Sequence, residues 1–243
     1  MTATLIAVIA MSPASSERNT CVDGVTWRYC FEHVPANKVP LHFTYDPSGA
    51  PVSGDVESAI RDAQSTWNAL WPSATTRSCI ALCYDGVNSG APNTISWGSP
   101  ASCAGASADA VAVACLHYSG ALRIVRVDVI LNASKLWTLS PDPVGGKVNA
   151  LLADRFGGHA PNPFAANWYD VGSALTHELG HSLGLEDIGN VVKPFPYDLT
   201  DAAKYTQTMY RWYFPGTDSK RTPEQGDITA LELAADASSR DRA

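Results

Sequence analysis

Residues 177–187 read H-E-L-G-H-S-L-G-L-E-D, so two of the chain's six histidines stand four apart with a glutamate directly after the first. On an α-helix, positions i and i+4 share a face one turn apart, so His177 and His181 can aim two imidazoles at one point. Two such imidazoles form a ligand pair for a divalent metal, and H-E-x-x-H on a helix is a zinc-binding arrangement. Glu178 is rotated from His177 by about 100° around the helix axis, which sets it beside such an ion and not on it. A general base would stand there to take the proton of a zinc-bound water.

A catalytic zinc site has three protein ligands and leaves a further position for water, so a third donor is required. Gly184 lies three residues past His181 and Asp187 three further. A glycine can take the left-handed conformation that ends a helix and turns the chain back. Such a turn lets the Asp187 carboxylate return to the same metal. Glu186, Asp198, Asp201 and Asp218 are rival carboxylates, disfavoured by their spacing from Gly184. The pair could also be ordinary, His177 and His181 being satisfied on a helix face with Glu178 at the surface. The full register H-E-x-x-H-x-x-G-x-x-D argues against that, since it would arise by chance on the order of once in 10⁵ chains of this length and composition.

The elements that must hold these residues can be read from periodicity. "YDVGSALTHELGHSLGLED" predicts a helix opening at Val171 with Asp170 as its cap. "SGDVESAIRDAQSTWNALWP" predicts an earlier helix with Val56, Ile60, Ala63, Trp67 and Leu70 inward, Ser53 as cap and Pro72 as stop. A last helix should run from about Pro223 to Ala237, with a capping box of Thr222 and Gln225 and with Ile228, Leu231 and Ala235 inward. Strand signals lie at Val39–Asp46, in "CIALCYD", "NTISWG" and "AVAVACLHYS", and in Leu122–Leu131, whose nearly continuous β-branched run suggests an interior strand. Residues 21–38 show little periodicity and read as an N-terminal extension on the surface; residues 132–167 read as loop. Strand, helix, then several strands indicate an α/β (α+β) domain with a twisted, mixed sheet.

The residues around the histidine pair resemble the long zinc signature of the metzincin metallopeptidases, and "YDVGSALTHELGHSLGL" is similar to its matrixin version. That signature ordinarily ends in histidine; Asp187 resembles the snapalysin-type bacterial branch. The family carries a methionine below the metal, and "QTMYRWY" supplies Met209, 22 residues after Asp187 in a chain with only three methionines. The resemblance covers about Val39 to Ala237. It implies a catalytic domain with a five-stranded sheet, an active-site helix and a closing C-terminal helix. An upper subdomain would span about 39–184 and a lower one about 185–240, within a single domain of 21–243. It implies zinc held by His177, His181 and Asp187, with Glu178 as base and the Met209 thioether as an apolar floor. Tyr213 would border the main specificity pocket, and the edge strand near Val111–Tyr118 would pair with an extended substrate. Arg211 replaces a usual proline and stands where related families put a metal-binding tyrosine, so no fifth protein ligand is expected. Calcium is compatible with the family, but its ligands, those of a structural zinc and a cysteine-switch propeptide cannot be mapped. His33, His42, His117 and His159 read as ordinary histidines.

Composition bounds the rest. The net charge of −7 supplies no basic excess for a nucleic-acid backbone, and the local pairs around Arg123 and Lys220 read as solvated surface. Six cysteines allow fifteen pairings; the neighbour pairing 21–30, 79–83 and 103–115 closes short loops and implies an oxidising compartment. A zinc site of Cys79, Cys83, Cys103 and Cys115 is the alternative. "TLIAVIAM" followed by "SPASS" reads as a short signal leader within residues 1–20, a first strand being the alternative, and no other stretch approaches the ~20 apolar residues of a membrane span. Asn132-Ala133-Ser134 is a glycosylation sequon. The expectation is a secreted, monomeric zinc endopeptidase acting on protein or peptide substrates; a secreted, catalytically silent metal-binding module is the rival.

Overall fold

The computed structural model describes residues 20–23, 28–31, 39–72, 79–118, 124–139, 168–187, 207–210, 213 and 220–240. Its centre is a five-stranded mixed sheet built from β3 (Leu41–Asp46), β4 (Leu82–Val87), β5 (Asn93–Gly98), β6 (Ala112–Tyr118) and β7 (Ile124–Asn132), in the order β4-β3-β5-β7-β6. The first four strands of that order run parallel and β6 runs antiparallel to β7 at one edge. Parallel neighbours need a crossover, and α1 (Val56–Leu70) supplies it between β3 and β4. The expected mixed α/β architecture is therefore present, with the Leu122–Leu131 signal realised as the interior strand β7.

Period-two burial gives the sheet one core face. Leu41, Phe43 and Tyr45 of β3 are buried there, as are Val127, Val129 and Leu131 of β7. Helix α1 lays Val56, Ile60, Ala63 and Trp67 against this face. Its cap is Asp55, whose carboxylate accepts the Ser58 amide at 2.9 Å, and not Ser53. Both residue types cap well, and the closer one to the first turn took the role. The site helix, α2 (Val171–Ser182), packs against α1, β6 and β7. Asp170 caps it as expected, accepting the Ser173 amide at 2.7 Å. A short parallel pair, β8 (Leu136–Thr138) with β9 (Trp168–Asp170), delivers the chain to that cap.

The last helix, α3 (Gln225–Arg240), starts two residues later than Pro223, and its first turn is organised by Asp227, not by a Thr222–Gln225 box. The Asp227 carboxylate accepts the Glu224 amide at 3.1 Å. Leu231 and Ala235 are buried as read, while Ile228 is half-buried. The extension also differs: β1 (Thr20–Asp23) and β2 (Arg28–Phe31) form an antiparallel hairpin, and β2 lies against α3. Strands of four residues are too short to display a period.

Disulfides join Cys79 to Cys83 and Cys103 to Cys115, which excludes a zinc site made of those four sulfurs. Cys21 and Cys30 are register partners across the hairpin. Asn132 is buried and its amide donates to the Ala108 and Ala110 carbonyls, so the sequon is a structural element and not an exposed acceptor. The leader stretch, His33, His159, Arg211, Asp198, Asp201 and Asp218 lie outside the described residues. Among the described residues, no helix is long and apolar enough to cross a membrane.

Candidate metal centre

All twelve residues of α2 are buried, so each polar group on it must find a partner in the protein. The helix closes against α1 through the Trp67 indole, whose N–H donates to the Thr176 carbonyl at 2.7 Å. Gly180, inside the H-E-x-x-H span, is the point of closest approach. A Cβ there would meet the Met209 sulfur and lie 2.8 Å from Trp67 Cζ2. Met209 is thus packed directly under the helix, in the core cluster. Gly184 has φ of 92°, the left-handed turn read from its spacing, and the Leu185 amide returns to the Gly180 carbonyl at 3.2 Å.

The turn brings the carboxylate back. His177 Nε2 and His181 Nε2 lie 3.1 Å apart, and Asp187 Oδ1 lies 3.2 Å from the first and 3.5 Å from the second. Each ring is aimed from behind. His177 Nδ1 donates to the Thr208 carbonyl at 2.6 Å and His181 Nδ1 to the Leu185 carbonyl at 2.7 Å. With both Nδ1 hydrogens committed, neutral rings present Nε2 lone pairs to one another and to a carboxylate. Both Asp187 oxygens are buried and accept no hydrogen bond from a neutral described donor. Three electron-rich groups facing one buried point repel unless a cation joins them, and two imidazole nitrogens with a carboxylate oxygen suit a zinc-class ion.

Proton affinities respond to the same geometry. Burial resists charge on His181, yet the Asp187 carboxylate beside it outweighs burial and raises the ring to about 9. Burial, followed by the nearby Lys220 ammonium, holds His177 below its ordinary value. Burial pushes Asp187 up, but the two imidazoles overcome it and hold the carboxyl well below the usual carboxylate range. A proton on His181 thus answers part of the demand for positive charge.

Glu178 is buried beside the pair, and His177, Glu178 and His181 offer ligand atoms within 4.8 Å of one another, a group that could hold a metal ion. Asp187 Oδ1 is nearer to both Nε2 atoms than that limit, so the donor set is not confined to those three. Glu178 Oε1 is engaged by the Tyr213 hydroxyl at 2.8 Å, and the Tyr213 ring meets the His177 ring edge-on at 5.1 Å. Tyr213 is thus held against both Glu178 and His177. Burial, then Glu178, raises its phenol well above the ordinary value, so it stays a donor to that carboxylate.

No family model matches the chain, and no curated protein matches it.

Sequence reasoning missed the support behind the rings. The Thr208 amide donates to Glu224 Oε2 at 2.7 Å and to Asp227 Oδ2 at 3.1 Å, and the Met209 amide to Asp227 Oδ1 at 3.4 Å. Carboxylates at the start of α3 (Asp227) and just before it (Glu224) thereby hold the turn whose carbonyl aims His177. Burial, then Asp227, raises Glu224 to about 9, and burial raises Asp227. Lys220, read as solvated surface, is only 3% exposed and lies inside this network. Its neighbour Arg221 pairs with Asp170 at 2.7 Å, over a Gly172 whose Cβ would stand 2.9 Å from the guanidinium carbon. One signal was present: Asp227 stands four residues before the inward-reading Leu231 on the same face of α3, but an aspartate there reads as polar.

Proposed function

We propose that this chain is a secreted zinc-dependent endopeptidase that hydrolyses peptide bonds in protein substrates. The observation that carries the reading is the convergence of His177 Nε2, His181 Nε2 and Asp187 Oδ1, each ring backed by a carbonyl and the carboxylate buried without a neutral donor. Those three side chains would hold the ion. When bound, zinc supplies Lewis acidity toward the scissile carbonyl and toward water. Asp187 contributes a negative charge, which moderates that acidity relative to a third neutral imidazole.

Glu178 stands one residue from the first ligand and takes the role of general base, accepting a proton from the attacking water and passing it to the leaving amine. The Tyr213 hydroxyl orients that carboxylate through its 2.8 Å bond and leaves Oε2 to the water. The antiparallel edge strand β6 offers its outer backbone for an extended peptide, strand added to strand. Two disulfides among the described residues fit an oxidising compartment outside the cytosol.

The silent binding module would use Glu178 as a fourth, closing ligand, an idea favoured by its proximity to the pair. One experiment addresses both: casein hydrolysis by purified protein, by the same protein after chelation, and by Glu178→Ala. We expect activity in the first sample alone, with metal retained by the variant. Equal activity in all three ends the peptidase reading, and loss of stoichiometric zinc from Glu178→Ala promotes the closed site.

A further inference from the structure

A buried ammonium is costly unless its surroundings hold it, and a methionine would fill the same space without that cost. Lys220 nevertheless sits under the site. Its Nζ donates to the Thr208 carbonyl at 2.9 Å and to the Tyr210 carbonyl, two acceptors two residues apart on the turn that carries Met209. It lies 3.2 Å from His177 Nδ1 and 5.0 Å from the centre of the Tyr213 ring. The Asp187, Asp227, Glu178 and Glu224 carboxylates face it from α2, from the segment after α2 and from the start of α3.

These contacts have a direction. The Thr208 oxygen that Lys220 grips is the acceptor of the His177 Nδ1 hydrogen. Fixing that oxygen fixes the rotation of the imidazole and therefore the line along which Nε2 points. The same ammonium stands over the ring of Tyr213, whose hydroxyl holds Glu178. Asp227 and Glu224 hold the amide side of the turn, and Lys220 holds its carbonyl side.

We propose that Lys220 is a positioning residue of the metal centre, clamping the Thr208 and Tyr210 carbonyls so that His177 and the Tyr213–Glu178 pair keep their aim. The inference rests on the metal-site reading above. It assigns Lys220 no contact with substrate.

The test loads chelated full-length protein with cobalt(II) and reads two quantities other than activity: the visible d–d spectrum and the affinity in competition with a chromophoric chelator. Wild type is compared with Lys220→Met, Lys220→Gln, Lys220→Arg and Ile95→Val, the last a cavity-forming control in the sheet core. We expect Lys220→Met and Lys220→Gln to lose roughly 10- to 100-fold in cobalt affinity with an altered spectrum, the range for residues that orient ligands from behind. Lys220→Arg should recover part of the affinity, and Ile95→Val should keep both readouts. Should Lys220→Met not fold, Lys220→Gln decides, since its amide can satisfy one carbonyl. A folded variant lacking the ammonium that matches wild type in affinity and spectrum overturns the assignment, even if it melts earlier. Wild type that binds no cobalt defeats the metal reading itself, a separate failure.

Discussion

When both imidazoles are neutral, Asp187 has no hydrogen-bond donor among the described residues, and that makes it the most informative side chain of the site. Its charge raises His181 to about 9 against burial, the direction expected where a buried carboxylate draws positive charge toward itself. Asp187→Ala should therefore lose stoichiometric zinc on dialysis, as read by elemental analysis, while wild type retains one ion per chain. Full retention would mean that another carboxylate holds the metal. The placement of Asp187 beside the two rings was legible because the whole register from His177 to Asp187 is local: helix periodicity plus one left-handed glycine determines it. Lys220 was not legible. A lysine flanked by serine and arginine reads as surface, and only partners brought in from α2 and α3 explain its burial.

Helix α2 works as a tightly fitted piece. Its cap, Asp170, was readable because N-capping involves neighbours three residues apart. The start of α3 was misread for the opposite reason: Asp227 is recruited by the Thr208 and Met209 amides, 19 and 18 residues upstream, so a local capping box lost to a tertiary contact. Gly180 shows the same dependence on distant chain. Any side chain there collides with Trp67 and Met209, which approach from different elements. Gly180→Ala should destabilise the fold by about 1–3 kcal/mol, the usual cost of overpacking a filled core. Urea denaturation would measure it, and an unchanged midpoint would contradict the packing described. The sheet was largely legible, strand by strand, because its strands run for six to nine residues, long enough for an alternating or a continuous apolar, β-branched pattern to show; the four-residue hairpin strands were too short to do so.

Across the whole molecule, the α3 carboxyls couple the fold to pH. Burial, then Asp227, raises Glu224 from 4.5 to about 9, so the native state keeps a proton that the unfolded chain releases above 4.5. Stability from this group is therefore greatest below that value and declines as pH rises toward 9. Asp227, also raised by burial, acts in the same direction. Glu224→Gln should remove the Glu224 share, so its melting temperature, compared with wild type under chelating conditions, should gain progressively between pH 5 and 9 (about the span of the shift). A constant difference across that range would count against a proton retained by Glu224 in the native state. The support behind His177 has a last implication. The eleven letters of the metal signature are contiguous, yet the oxygen that steers the first imidazole belongs to a residue 31 positions downstream. A fragment ending at Asp187 would spell the signature in full and leave one of its rings free to swivel. Spelling alone leaves the donors unaimed; the later turn at Thr208 gives the first of them its bearing.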